Sequence, residues 1–154
     1  MQTNAEIGRA MSAITHGVYV LGVHTPERDN LMTAAWLCQV SGAPPTIAAA
    51  VASRHLTAQL IPKAGKFAVS VLSAEQREIA LRNGRVSGRD RDKLLDTPTL
   101  LSPDGNPLVQ QALAHLECKL VDRLAVHDHT LFIGQVVWGE RLDGQPLLYQ
   151  EIDF

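Results

Sequence analysis

The spacing of apolar and polar positions changes several times along the chain, and each change marks an element. At the start, Thr3 and Glu6 stand at capping-box spacing, in which each side chain satisfies a free backbone N–H of the other. Ile7, Ala10, Met11 and Ile14 then fall on one helical face, and Gly17 ends the run. "VYVLGVHT" (Val18–Thr25) is β-branched and apolar and predicts a buried strand, followed by the polar turn "PERDN". "LMTAAWLCQVS" (Leu31–Ser41) predicts one strand with an unusual share of small residues. "GAPP" interrupts it, because Pro45 cannot donate to a ladder, and "TIAAAVA" (Thr46–Ala52) resumes extended structure. In "SRHLTAQLIPKAG" the period lengthens: Leu56, Leu60 and Ile61 sit at helical spacing, with Ser53 placed as N-cap.

Lys66–Ser73 reads as a strand and "AEQREIALRNG" as a helix ended by Gly84. "RVSGRDRDKLLD" predicts a charged loop or short helix, and "TPTLLSPDGNP" is rich in turn residues. Two long alternating strands fill Leu113–Leu142, joined by "VHDH", and "PLLY" predicts a last short strand. The strands come in consecutive pairs rather than as βαβ units. That pattern predicts a mainly β fold, an antiparallel barrel with peripheral helices, over a doubly wound sheet.

Length and charge narrow the picture. The 154 residues suit a single domain spanning 1–154, and no repeat or linker divides it. A net charge of −2 disfavours nucleic acid, which calls for a basic face. No apolar run reaches the length of a membrane span, and the N-terminal stretch carries Glu6 and Arg9 in place of a signal sequence. Cys38 and Cys118 lie far apart without metal-ligand spacing, which reads as two buried reduced thiols in a cytoplasmic protein.

The sequence lacks the Gly-rich dinucleotide and P-loop fingerprints and the GxSxG elbow. "HDH" suggests a metal, yet adjacent turn residues rarely converge on one ion and no distant cluster completes a set, so no metal site is expected. Three stretches carry the candidate chemistry. "TAAW" (Thr33–Trp36) places small side chains in mid-strand, which serves either tight barrel packing or the close approach of a flat ligand. "SRHLT" (Ser53–Thr57) gathers hydroxyls, Arg54 and His55 at a strand-to-helix junction, where free N–H groups suit a phosphate or ordinary capping. Arg54 and Thr57 read as peripheral to the core. "SGRDRDKL", with Arg89 and Lys93, reads on its own as a solvated loop. His129 opens a strand beside Asp128, and a histidine there fits either a surface residue or a catalytic one.

Taken in order, "NLMTAAWLCQVSGAPPTIAAAVASRHLTAQLI", "GKFAVSVLS", "SGRDRDKL", "LAHLECKLVDRLAVHDHTLFIGQV" and "PLLY" resemble the flavin reductase-like family. The resemblance implies a six-stranded antiparallel Greek-key split barrel, a homodimer, and FMN or FAD bound near the dimer interface. It also implies NAD(P)H as a transient hydride donor and a monooxygenase or other electron acceptor as partner. By the same resemblance Thr33, Ala34, Ala35 and Trp36 would line the flavin ring and ribityl chain, with Val40 and Ser41 continuing that wall. Ser53, Arg54, His55 and Thr57 would hold the phosphate, Arg89 and Lys93 would approach the phosphate or the nicotinamide cofactor, and His129 would stand near flavin and donor. The chain departs from the family in Ala35 where Ser is common, Ser70 where Asn is common, and His127 where Gly is frequent. The activity so implied is flavin reduction by NAD(P)H; the alternative is a flavin-binding electron carrier with no productive donor site.

Overall fold

The computed structural model describes residues 1–150. Helix α1 (Asn4–Met11) starts with the expected capping box, Thr3 accepting from the Glu6 amide while the Glu6 carboxylate accepts from the Thr3 amide. None of its residues is buried. Strands β1 (Tyr19–His24), β2 (Asp29–Ala34), β3 (Leu37–Gly42), β4 (Pro45–Ala52), β5 (Lys66–Val71), β8 (Ala114–Val126) and β9 (His129–Arg141) form one antiparallel sheet in the order β2-β1-β5-β8-β9-β4-β3. Helix α2 (Leu56–Ala64) follows β4, and α3 (Arg77–Gly84) follows β5. Strands β6 (Thr99–Leu101) and β7 (Pro107–Val109) make a separate hairpin.

The strand count explains itself at the sheet edges. Leu31–Ser41, expected as one strand, is two: β2 pairs with β1 up to Ala34, and β3 pairs with β4 from Leu37. Between them the backbone folds tightly, with Leu37 N–H donating to Ala35 O at 3.2 Å and Ala50 N–H to Trp36 O at 2.9 Å. The two edges of the sheet are therefore halves of one sequence run, and counting that run once gives the expected six strands. The apolar run Ala34–Cys38 continues across the corner, so no local signal marks it.

Inside the curled sheet, Leu21, Val23, Val51, Phe67, Val69, Cys118 and Phe132 pack with Leu60 and Ile61 of α2. Gly134 is required there, since a Cβ on it would lie 2.7 Å from Phe67 Cζ and 2.9 Å from Cys118 Cβ. Cys118 is fully buried, and burial followed by the Glu117 charge pushes its thiol up to about 12. Cys38 is exposed rather than buried, because it lies on β3, an edge strand that the rest of the sheet leaves largely uncovered.

The β6–β7 hairpin lies on the outer face. A Cβ on Gly22 would meet Pro107 O at 1.8 Å, so β1 and β7 approach backbone to backbone. Ser70 Oγ accepts from Val109 N–H at 2.9 Å, and the His115 ring bridges Val109 O at 2.7 Å and Glu140 at 2.9 Å. Ser70, one of the departures from the family, thus pins this hairpin. "PLLY" forms no full strand. It makes two isolated bridges, Gly17 with Leu148 and Ser73 with Pro146. Its backbone is laced between the start of β1 and the end of β5 by Val18 N–H to Leu147 O, Leu147 N–H to Leu72 O, and Tyr149 N–H to His16 O. No helix among the described residues is long and apolar enough to cross a membrane.

Candidate functional site

Three segments far apart in sequence meet at one end of the sheet. The β4–β9 ladder pairs Ala52 with His129, and one residue further on Ser53 N–H donates to Asp128 O at 2.9 Å. That ladder brings "SRHLT" against "VHDH". The bond from Ala50 to Trp36 then brings in the β2–β3 corner. The result is a cavity of about 250 Å³ lined by Thr33, Ala34, Ala35, Trp36, Ala50, Ala52, His55, Gly84, His129 and Tyr149, among others. A second cavity, about 170 Å³, shares Met32, Thr33, His55 and Gly84 with it and adds Asn30, Thr57, Asn83, the Arg85–Gly88 loop and Lys93. The shared walls make the two contiguous: a flat, small-residue slot opening on a polar recess.

On the slot's wall the rings of Trp36 and His129 lie 4.7 Å apart at 31°. Trp36 is half exposed, and His129 Nδ1 bonds Asp128 Oδ1 at 2.8 Å. That bond, with the nearby imidazole charge, holds the Asp128 carboxyl below the usual carboxylate range. It also directs the ring's Nε2 edge away from Asp128. The connection that delivers His129 contains only His127 and Asp128, and His127 takes φ +51°, a left-handed conformation that favours glycine. The family's frequent Gly at this position therefore has a backbone cause.

The recess gathers positive groups at a helix start. Ser53 is not the cap of α2: its hydroxyl bonds Thr130 Oγ1 at 2.9 Å, and the N-cap is His55, with no side-chain hydrogen bond to the helix. The first turn of α2 thus keeps N–H groups free of side-chain capping, at the positive end of the helix dipole. His55 stands among Arg54, Lys93, His129 and Arg89; partial burial first, and then these positive neighbours, lower its pKa. Arg89 Nη1 donates to Arg54 O at 2.9 Å, which draws the charged loop onto the junction.

Lys93 departs from the solvated-loop reading. It is 4% exposed, donates to Asn83 O at 2.8 Å, and is lowered by burial to about 8. A short 3₁₀ turn (Lys93–Leu95), capped by Asp92, folds it inward. Thr57 likewise is buried, not peripheral, and accepts from Asn30 Nδ2 at 2.9 Å. Beside them Asn83 Oδ1 is buried with no hydrogen-bond partner among the described residues.

Of the expected site residues, Thr33, Ala34, Ala35, Trp36, His55, Thr57, Lys93 and His129 line the two cavities, and Ser53, Arg54 and Arg89 flank them. Val40 and Ser41 lie further along β3 and are exposed; Ser41 faces a different cavity, about 580 Å³, with Tyr19, Leu37 and Leu116. A still larger depression of about 730 Å³ beside α3 holds none of the expected residues. Sequence reading missed Tyr149, Asn30, Asn83 and Gly84. Gly84 was read only as a helix stop, and Tyr149 reaches the slot through a strap whose backbone bonds carry no local pattern.

A model of the flavin reductase-like domain matches residues 11–154. The chain is 34% identical to the FMN reductase (NADH) SmoA of Agrobacterium fabrum, over 91% of this chain and 78% of that one. It is 33% identical to the high molecular weight rubredoxin of Moorella thermoacetica, over 92% of this chain and 63% of that one. Among solved structures, the NADH:FAD oxidoreductase SgcE6 of Streptomyces globisporus C-1027 superposes with a TM-score of 0.89 at 28% identity, covering 97% of this chain and 90% of that one. The chain spans less than two thirds of several curated relatives that it matches, the Moorella protein among them.

Proposed function

The chain belongs to the flavin reductase-like domain family, and from that premise we propose that it is an NAD(P)H-dependent flavin reductase that passes reduced flavin or electrons to a partner. One observation carries the reading: a slot walled by small residues and aromatic rings runs into a recess with an uncapped helix N-terminus, Lys93 in its lining and Arg54 and Arg89 beside it. A flat ring system with a phosphate tail, as in FMN or the FMN half of FAD, has that shape and charge. The relatives named for NADH, FMN and FAD support the same cofactors.

Bound flavin would supply the hydride-accepting chemistry. This chain's residues would position it. Ala34, Ala35, Ala50 and Ala52 let the ring approach the backbone. The α2 terminus, Arg54, Arg89 and Lys93 would neutralise the phosphate. His129, oriented through Nδ1 by Asp128, presents its other nitrogen for a hydrogen bond to flavin or nicotinamide. No protein base is needed to move a proton in hydride transfer itself.

Val121, Leu124, Val126 and Val137 are large apolar side chains left exposed along the β8–β9 hairpin, which supports a homodimer using that face. The exposed Cys38 thiol suits the reducing cytoplasm. The decisive experiment adds NADH or NADPH anaerobically to the flavin-loaded protein and follows bleaching of the visible flavin band. Rapid bleaching with one donor supports the reductase. Flavin that stays bound and oxidised with both donors refutes it and leaves the electron-carrier role.

A further inference from the structure

One wall of the slot comes from the far end of the chain. Tyr149 ends the laced segment, and its position is fixed by register. Tyr19 opens β1 opposite Ala34, the last residue of β2, so the residues just before β1 lie beside the β2–β3 corner. Tyr149 N–H donates to His16 O at 2.9 Å, three residues before Tyr19, and Tyr149 shares the slot's lining with Ala35 and Trp36 of the corner. Its ring meets the His16 ring edge-to-face, with centroids 6.2 Å apart at 70°. It also packs against the outer cluster of Val18, Leu72 and Val109 while lining the slot. The ring is thus half-anchored in apolar packing and half-offered to the cavity, and the strap holds it by backbone bonds rather than through a ladder.

We propose that Tyr149 is the aromatic wall that contacts the bound flavin's ring system and sets how long the flavin stays in the slot. The inference rests on the flavin reading above. Cations of the recess act on the phosphate, whereas Tyr149 acts on the ring, so the two contributions separate with a ligand that lacks the phosphate. Aromatic stacking on a flat heterocycle has a dispersion and quadrupole component that a non-aromatic side chain of similar bulk does not supply.

The test compares FMN with riboflavin on the purified full chain, stripped of flavin, by fluorescence titration and by stopped-flow displacement. Tyr149→Leu is expected to weaken FMN and riboflavin alike, by about tenfold, mainly through faster release. It should also shift the visible absorption band of bound flavin. Tyr149→Phe and Tyr149→Trp should restore both affinity and band position. Arg54→Ala should weaken FMN and leave riboflavin unchanged. Tyr149→Met is a second non-aromatic variant, so that a folding defect in one does not decide the result. Wild-type affinity for both flavins in Tyr149→Leu or Tyr149→Met overturns the inference, as does a loss confined to FMN. Wild-type protein that binds neither flavin overturns the flavin reading itself, and this inference with it.

Discussion

Gly88→Ala tests how the charged loop is docked on the site. A Cβ at residue 88 would lie 2.0 Å from Asn30 Oδ1 and 3.2 Å from Leu56 Cδ2. The glycine's φ is not in the left-handed region, so alanine is opposed by space and not by backbone. Asn30 is buried and donates to Thr57 Oγ1, so it cannot turn aside without leaving polar groups unpaired. That loss costs about 1–3 kcal/mol. Alanine's smaller unfolded-state entropy offsets about 0.4–1 kcal/mol of it. The remainder, about 1.3 kcal/mol at the midpoints of those ranges, lowers Tm by roughly 3–5 °C for a chain of this size. If the loop lifts instead, it gives up the contact of Arg28 with Gly88 O and withdraws Arg89 from Arg54 O. Losing that charge near the phosphate weakens FMN by about 1 kcal/mol, roughly fivefold, and leaves riboflavin unaffected. Thermal melts by circular dichroism and parallel FMN and riboflavin titrations read both effects. A variant that melts with the wild type and binds FMN equally would refute the steric argument.

Two further outcomes follow from groups held away from their ordinary state. Lys93 is lowered to about 8 from 10.5 by burial, so between those values the unfolded chain holds a proton that the folded one has lost. Flavin-free protein should therefore gain stability as pH rises through that window. FMN affinity should fall as pH passes about 8, riboflavin affinity should not, and Lys93→Met should remove the step; a pH-independent FMN affinity in the wild type would contradict this. At His127, φ +51° costs about 1–2 kcal/mol for a residue with a Cβ, against about 0.5–1 kcal/mol of entropy that glycine adds to the unfolded state. His127→Gly should thus raise Tm by roughly 1–4 °C, and a lower Tm would show that the His127 side chain makes a compensating contact.

What the sequence disclosed follows from which interactions are local. Helix α1 was legible because Thr3 and Glu6 cap it within one turn. The long β8 and β9 strands were legible because apolar alternation runs through much of each, and only the bulges at Glu117/Cys118 and Leu120/Asp122 had no signal in the sequence. The N-cap of α2 was misplaced because the Ser53 hydroxyl is taken by Thr130, 77 residues away. Lys93 and Thr57 looked peripheral because their burial depends on partners in other elements, Asn83 and Asn30. Most of the residues named by the resemblance meet at one end of the sheet, whereas Val40 and Ser41 lie further along β3. Tyr149 needed the strap's long-range backbone bonds to be visible at all.

The corner between β2 and β3 has a consequence for how such a site diversifies. Neither Ala35 nor Trp36 has a partner in the β1–β2 or β3–β4 registers, although both side chains line the slot. Their side chains can be exchanged without breaking a ladder bond. Ala35, where the family resemblance makes Ser the expected residue, is an exchange of this kind. The seam that joins the sheet's two edges is in this sense a place where the slot's lining can change while the ladders around it stay the same.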